Sequence, residues 1–275
     1  MTYPLCMHAP GGPRARRPWL PLLGAALAVA IVCAFGMWRP WIVPSAPVAA
    51  ESVALPQAVP AALELPENAR VLIFGDSWVY GSAATVPTLG FAYRLAEQLG
   101  WQGVVDGVRG SGYLKPGLDG GSYGERVAAL DPSLDPDLII LEGSINDRRL
   151  PATGYRDAVT AVWDALKTRY PDATIVILGP APQVLPVEET TARIDADLAE
   201  LAAARGWWYI SPIAEGWITE ANYLDVIDTG PIGRDHPSDE GHAYLAERVA
   251  DALDDMGGAT EVVADAPLDE EITGP

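Results

Sequence analysis

The chain has 275 residues and carries 18 Lys and Arg against 37 Asp and Glu, a formal net charge of −19 at pH 7. So acidic a chain repels nucleic acid and anionic lipid headgroups, which disfavours a polyanion-binding protein. The only cysteines, Cys6 and Cys33, lie near the N-terminus, so the rest of the chain has no cysteine nucleophile, cysteine-based zinc site or disulfide.

The first fifty residues predict membrane targeting. They contain four arginines and no acidic residue, and the 21 residues from Pro18 to Trp38 carry no charge. That stretch can span a bilayer, and the arginines before it favour a cytoplasmic N-terminus with the following chain outside. We therefore interpret residues 1–45 as a cytoplasmic tail and transmembrane anchor. The alternative is a signal peptide cleaved before Glu51, although signal peptides usually have shorter apolar cores.

Composition divides the remaining chain, which carries 14 basic and 37 acidic residues, into three parts. Residues 46–67 are rich in Ala, Pro and Val without a clear period, as is typical of an extended linker. Residues 68–255 have the pattern of one globular domain, without internal repeats. Residues 256–275 are acidic and poor in aromatic residues, so we predict a disordered tail.

Short β-rich runs alternate with longer helical segments in the predicted domain, a pattern typical of parallel strands joined by crossover helices. The predicted strands are Arg70–Phe74, Gln102–Val105, Asp137–Leu141, Thr174–Leu178 and Trp207–Ile210. The predicted helices are Leu89–Leu99, Glu125–Leu130, Tyr155–Arg169, Glu188–Ala204 and Asp239–Asp254. Several strands are apolar on both faces, which indicates a sheet covered by helices on each side. The prediction is one three-layer α/β domain.

Three polar or glycine positions follow the carboxyl ends of separate predicted strands. Ser77 ends the run Gly75-Asp76-Ser77, Gly110 begins Gly-Ser-Gly-Tyr, and Asn146 lies in Gly-Ser-Ile-Asn-Asp. Ligands of open parallel sheets bind beyond the carboxyl ends of the strands, so these positions are candidates for one site.

A serine hydroxyl becomes a nucleophile only when a base removes its proton, and histidine is the usual base. The chain has three histidines. His8 belongs to the N-terminal segment, which leaves His236 and His242 as candidates.

Four segments together resemble the SGNH (GDSL) hydrolase family, over roughly residues 70 to 254. They are Gly75-Asp76-Ser77, Gly110-Ser111-Gly112-Tyr113, Gly143-Ser144-Ile145-Asn146-Asp147 and the segment from Asp235 to His242. The resemblance implies a three-layer α/β/α sandwich around a parallel, flavodoxin-like, five-stranded sheet.

The resemblance also implies roles for individual residues. Ser77 is expected to be the nucleophile and His236, in its His-Pro context, the base. The expected oxyanion hole consists of the backbone N–H of Ser77, the N–H of Gly110 and the side chain of Asn146. The run Gly-Ser-Gly allows a second register, in which Gly112 replaces Gly110.

One position departs from the family pattern. The family normally has an aspartate three residues before its catalytic histidine, and this chain has Gly233 there. We take Asp235 as the first candidate for the missing carboxylate, with Asp228 or a backbone carbonyl as alternatives. The Asp-x-x-His spacing does occur at His242, behind Asp239, which is the argument for His242 as base.

The sequence therefore predicts an extracytoplasmic serine esterase that hydrolyses an ester through an acyl-enzyme on Ser77. By family analogy and export, the expected substrates are small O-acyl groups on carbohydrate or a cell-surface polymer. The alternatives are an O-acyltransferase that uses the same acyl-enzyme and a non-catalytic binding domain. We predict no cofactor, no metal site, no nucleic-acid partner, and membrane contact through the N-terminal segment only. The oligomeric state stays open.

Overall fold

A computed structural model of the chain describes residues 60–258. The predicted anchor, and the predicted tail after residue 258, lie outside these residues. Five strands form one parallel sheet in the order β2-β1-β3-β4-β5. They are β1 (Arg70–Gly75), β2 (Gln102–Gly107), β3 (Leu138–Glu142), β4 (Thr174–Leu178) and β5 (Trp208–Ile210). The predicted fold class and its flavodoxin-like strand order are confirmed.

Helices cover both faces of the sheet. They are α1 (Ser77–Tyr80), α2 (Phe91–Gln98), α3 (Tyr123–Ala129), α4 (Tyr155–Arg169), α5 (Glu189–Arg205), α6 (Tyr223–Val226) and α7 (Asp239–Gly258). Alternate residues of β1 point to opposite faces, as strand geometry requires. Val71 and Ile73 pack with α2 and α7, whereas Leu72 and Phe74 pack with α3, α4 and α5. Two apolar layers therefore fix β1 from both sides.

Local sequence signals explain several helix ends. Ser122 and Glu125 form a reciprocal capping box at the start of α3. Gly206, in the left-handed conformation, ends α5 with its N–H bonded to helical carbonyls. The predicted bounds of β4 and α4 agree with the structure, and those of most other elements differ by one or two residues.

The packed domain extends beyond the predicted boundaries of 68 and 255. Leu63 and Leu65, which composition assigned to the linker, pack against the core, and Leu63 N–H donates to the carbonyl of Met256. Helix α7 continues to Gly258. The composition of residues 46–67 did not predict this packing, because only two isolated leucines in an alanine- and proline-rich segment make it.

The sheet also explains where the candidate residues meet. Strand β1 lies between β2 and β3, so the strands that follow β1 in the chain lie on both sides of it. In a sheet of this kind, a crevice opens beside β1 at the carboxyl ends of the strands. A separate antiparallel pair, β6 (Ile227–Asp228) and β7 (His236–Pro237), brings the histidine segment to this edge. No helix within residues 60–258 has both the length and the apolar character needed to cross a membrane.

Candidate active site

Ser77 occupies a sharp turn between β1 and α1. Asp76 caps the short helix, because its carboxylate accepts a hydrogen bond of 2.9 Å from the backbone N–H of Trp78. Ser77 is the first residue of that helix, so its own N–H has no helical acceptor four residues earlier. The turn therefore presents both a hydroxyl and a free backbone donor at the edge of the sheet.

His236 contacts the Ser77 hydroxyl directly. Its Nε2 lies 2.9 Å from Ser77 Oγ, while its Nδ1 lies 2.9 Å from the carbonyl oxygen of Gly233 and 3.1 Å from that of Arg234. A carbonyl can only accept, so Nδ1 carries the proton. The Nε2 lone pair is then directed at the serine O–H, which is the arrangement that a general base requires.

The prediction that Asp235 orients His236 is wrong for this structure. Both imidazole nitrogens already have partners, and the Asp235 carboxylate makes no hydrogen bond to either of them. Arg234 and Asp235 have φ angles of +51° and +62°, so the backbone turns tightly just before His236. This turn brings carbonyl oxygens, not the Asp235 carboxylate, against the ring.

Asp228 fills the space that a side chain at position 233 would need. It pairs with His236 across β6 and β7, and a Cβ placed on Gly233 would overlap the Asp228 carboxyl group. The Asp228 carboxylate also accepts a hydrogen bond of 2.8 Å from the N–H of Gly230. The Asp228 side chain thus occupies the space that an aspartate at position 233 would need, although Asp228 makes no hydrogen bond to the imidazole.

His242 is placed away from the serine hydroxyl. It is fully buried, its Nδ1 accepts from the N–H of Phe91 at 3.2 Å, and its Nε2 donates to the carbonyl of Ser82 at 3.1 Å. Asp239 binds Thr85 instead of the imidazole. Burial lowers the pKa of His242 to about 4. These contacts give His242 a packing role, and the Asp-x-x-His spacing there does not form an Asp-His pair.

The structure distinguishes the two candidate oxyanion glycines. The N–H of Gly112 donates to the carbonyl of Lys115 at 2.8 Å. The N–H of Gly110 has no hydrogen-bond acceptor among residues 60–258, and Gly110 lines the cleft beside Ser77. Its φ of +73° is readily adopted only by glycine. The geometry therefore favours the register with Gly110.

Asn146 also lines the cleft, but its amide nitrogen is occupied. It donates to Asp76 Oδ2 at 2.7 Å and to the carbonyl of Ser111 at 3.1 Å. Ser144 Oγ lies 3.1 Å from the same nitrogen. The amide could serve an oxyanion only by exchanging one of these acceptors.

A second carboxyl group lies behind the nucleophile turn, and the sequence did not single it out. Glu142, at the end of β3, accepts a hydrogen bond of 3.0 Å from the N–H of Asp76, and the Tyr123 hydroxyl lies 3.3 Å from the same oxygen. Burial raises the pKa of Glu142 well above its usual value, and the neighbouring Asp76 raises it further. Burial also raises the pKa of Asp76, but its carboxylate accepts from three donors, so we infer that Glu142 is the neutral member of the pair. A charged residue ending an otherwise apolar strand was the signal available in the sequence.

Two more charged residues hold the loop that contains Gly110. Asp147 accepts hydrogen bonds from the N–H groups of Tyr113, Leu114 and Lys115 at 2.7 to 3.2 Å. Arg126, which the sequence also failed to reveal, donates to Ser111 Oγ and to the carbonyl of Gly75. The nucleophile turn and the glycine loop are therefore tied to each other.

Ser77, Gly110, Asn146 and His236 open into one cleft of about 530 Å³. Trp78 and Tyr113, which neighbour the candidate residues in the sequence, are buried in the two core layers, whereas Tyr80 lines the cleft. Among residues 60–258, no three His, Cys, Asp or Glu side chains converge as metal ligands would.

A serine activated by histidine at the edge of a doubly wound parallel sheet defines an α/β serine hydrolase. The GDSL-like Lipase/Acylhydrolase family model matches residues 73–244, and the chain belongs to this family. The chain is accordingly a GDSL-type serine hydrolase of the esterase class.

Relatives agree with this assignment. The GDSL lipase Rv0518 of Mycobacterium tuberculosis is 28% identical over 191 residues, which cover 66% of this chain and 79% of the relative. A two-domain esterase active on acetylated mannans is similar in structure, with a TM-score of 0.52, 18% identity, and coverage of 74% of this chain and 52% of that one. A carbohydrate acetylesterase family member from Sinorhizobium meliloti gives a TM-score of 0.52 at 16% identity, covering 68% and 98% respectively. The two structures establish similarity of fold.

Proposed function

We propose that the protein is an extracytoplasmic serine esterase that removes small O-acyl groups from carbohydrate or a cell-surface polymer. The observation that carries the proposal is the 2.9 Å contact between Ser77 Oγ and His236 Nε2 in an open cleft. Two structurally similar proteins that act on acetylated carbohydrate, or belong to such a family, support the substrate class.

In the proposed acylation step, His236 Nε2 takes the proton of the Ser77 hydroxyl while Oγ attacks the ester carbonyl carbon. The carbonyl oxygen becomes an oxyanion, and the free N–H groups of Ser77 and Gly110 are the proposed donors to it. Asn146 adds a third donor when its amide exchanges a buried acceptor for the oxyanion. The intermediate collapses as His236 returns its proton to the leaving alcohol, and the acyl group stays on Ser77.

Deacylation repeats these steps with water. A water molecule gives one proton to His236 Nε2 and attacks the acyl carbon, and the second tetrahedral intermediate expels Ser77 Oγ, which recovers the proton. The Gly233 carbonyl accepts from Nδ1–H throughout, which keeps Nε2 as the basic nitrogen. An acyltransferase would differ only in the acceptor, a sugar hydroxyl in place of water.

The test is hydrolysis of 4-nitrophenyl acetate by the full-length chain purified in a non-ionic detergent. Ser77→Ala and His236→Ala are each expected to lower kcat/KM by about 10⁴-fold or more, because nucleophile and base act as a unit. His242→Ala is the matched control, and any loss there should follow stability instead of the chemical step. Hydrolysis that survives Ser77→Ala would contradict the proposal.

Two further measurements separate esterase from transferase and locate the domain. Product analysis with acetylated mannan fragments, with and without a free sugar acceptor, distinguishes released acetate from transferred acetyl groups. Protease treatment of intact and permeabilised cells tests whether residues after Arg39 are outside, as the arginine-flanked apolar stretch suggests. N-terminal sequencing of the mature chain tests whether cleavage before Glu51 occurs.

A further inference from the structure

The cleft has the opposite charge balance to the chain as a whole. Among the residues that the structure describes, five cationic side chains line it, and Asp235 is the only acidic one; the cations are Arg109, Lys115, Arg148, Arg149 and Arg234. The whole chain has twice as many acidic as basic residues. A cleft whose charge sign opposes that of its own protein is not explained by average surface composition.

Partners separate these cations into two groups. Arg109 is paired with Asp119, and Arg148 donates to Glu188 and Gln183. Lys115, Arg149 and Arg234 have no hydrogen bond or ion pair to any of residues 60–258 through their charged groups. The same range contains eleven other Lys and Arg side chains, and each of them has at least one such partner. All three cations without a partner therefore line the cleft.

These three cations come from the segments that hold the reacting groups. Lys115 Nζ lies 3.7 Å from the position that a Cβ on Gly110 would occupy. Arg149 ends the short 3-10 helix that contains Asn146, and Arg234 precedes His236 by two residues. The three positive charges thus come from three different segments that line the cleft together with Ser77.

We infer that the preferred ester carries an anionic group, a carboxylate or a phosphate, close enough to its acyl bond to contact Lys115, Arg149 and Arg234. The inference rests on the proposed esterase function and narrows its substrate class. Three cations without counter-ions repel one another, and an anion among them relieves that repulsion. Because the chain outside the cleft is strongly acidic, the inferred substrate is a small ester or a short acylated fragment, not a long polyanion.

The test compares three acetate esters with similar leaving groups. They are 4-acetoxybenzoate, 4-acetoxyphenyl phosphate and the neutral methyl 4-acetoxybenzoate. For wild type and for each variant, kcat/KM for each anionic ester is divided by kcat/KM for the neutral ester. Comparing this ratio between wild type and variant cancels the intrinsic reactivity of the esters. The two anionic esters distinguish a carboxylate from a phosphate as the recognised group.

The variants are Lys115→Gln, Arg149→Gln and Arg234→Gln, singly and combined. Each single change is expected to lower the anionic-to-neutral ratio about threefold, and the triple change about tenfold or more, because water and salt weaken the attraction of solvent-accessible charges for an anion. Raising the ionic strength to about 1 M should shrink the wild-type ratio towards that of the triple variant, since salt screens exposed charges. Arg248→Gln, on α7, removes one positive charge from outside the cleft and should leave the ratio unchanged.

A binding measurement keeps the inference testable without turnover. Titration calorimetry of 4-acetamidobenzoate, an amide analogue, into Ser77→Ala should show binding that the triple charge variant weakens about tenfold. Equal ratios and equal binding in wild type and triple variant would overturn the anionic substrate, while hydrolysis of the neutral ester would leave the esterase proposal intact. Absence of all hydrolysis with charge-dependent binding retained would overturn the esterase proposal alone.

Discussion

The two sides of the candidate site are held by different kinds of interaction. On the nucleophile side, Asp76 is fully buried and accepts from Trp78 N–H, Ser144 Oγ and Asn146 Nδ2. On the base side, the half-buried His236 is oriented by the backbone carbonyl of Gly233. Side chains that follow the ends of core strands fix the first side, and a short strand pair with a tight turn fixes the second.

This difference predicts which substitutions each side of the site should tolerate. A buried network of side chains fails when one member leaves a donor or acceptor without a partner. An imidazole ring that is oriented by a backbone carbonyl loses its orientation when the path of the backbone changes. Four sets of variants, at Glu142, Gly233, His242 and Asp235, test the site and its surroundings from the largest expected effect to the smallest.

Glu142→Ala should damage the nucleophile side most. The N–H of Asp76 would lose its buried acceptor, and the free energy of unfolding should fall by about 2–4 kcal/mol. We expect kcat for 4-nitrophenyl acetate to fall about 10²-fold, because a small displacement of Ser77 costs that much. Steady-state kinetics and urea unfolding measure the two effects.

Glu142→Gln is the matched control. Glutamine reproduces the neutral acid in shape and still accepts from Asp76 N–H, so kcat at pH 7 should stay within about threefold of wild type. A Gln variant as impaired as the Ala variant would show that Glu142 works as a carboxylate, against the inferred neutral form.

Gly233→Asp restores the family spacing in the sequence yet should reduce activity. Its side chain would overlap Asp228 and displace the turn before His236, with an expected loss of about 10-fold to 100-fold in kcat/KM. The double variant Asp228→Gly/Gly233→Asp removes the overlap and should recover to within about tenfold of wild type. If the double variant were no better than Gly233→Asp, the volume argument would fail.

His242→Gln should change how stability depends on pH. The folded pKa of about 4 lies below the ordinary value of 6.5, so the unfolded chain binds a proton first as pH falls. The free energy of unfolding of the wild type should therefore fall by about 3 kcal/mol between pH 6.5 and pH 4 through this group. Above pH 6.5 the stabilising contribution of the neutral imidazole is fully present. Urea unfolding at pH 7, 5.5 and 4 measures the loss.

The glutamine variant should lack that loss. Its amide can accept from Phe91 N–H and donate to the Ser82 carbonyl as the neutral imidazole does. The buried carboxyl groups titrate equally in both proteins, so the difference between them isolates His242. Parallel stability curves over this range would contradict the buried neutral histidine.

Asp235→Asn should have the smallest effect. The Asp235 carboxylate makes no hydrogen bond to His236, so kcat/KM for neutral 4-nitrophenyl acetate should change by less than about threefold, as for a partly exposed charge without a partner in the reaction. A loss near 10⁴-fold, as expected for the orienting carboxylate of a serine hydrolase, would restore Asp235 as the partner of the imidazole.

Much of the fold could be predicted from the sequence because its signals are local. Apolar runs such as Ile175–Leu178 are long enough to fix a buried strand, and the helical period of Tyr155–Arg169 is unbroken. The pair β6 and β7 could not be predicted, since two residues per strand carry no period. The packing of Leu63 on the core was hidden by the composition around it.

The sequence by itself determined the α/β class, the family, and the meeting of Ser77, Gly110, Asn146 and a histidine at one sheet edge, because strand ends and motif order are written along the chain. Only the tertiary structure decided which histidine contacts the serine, which glycine has a free N–H, and what replaces the aspartate at position 233. It alone revealed Glu142 behind the nucleophile and the cations around the cleft. Those facts depend on distances between residues far apart in the sequence, which packing sets.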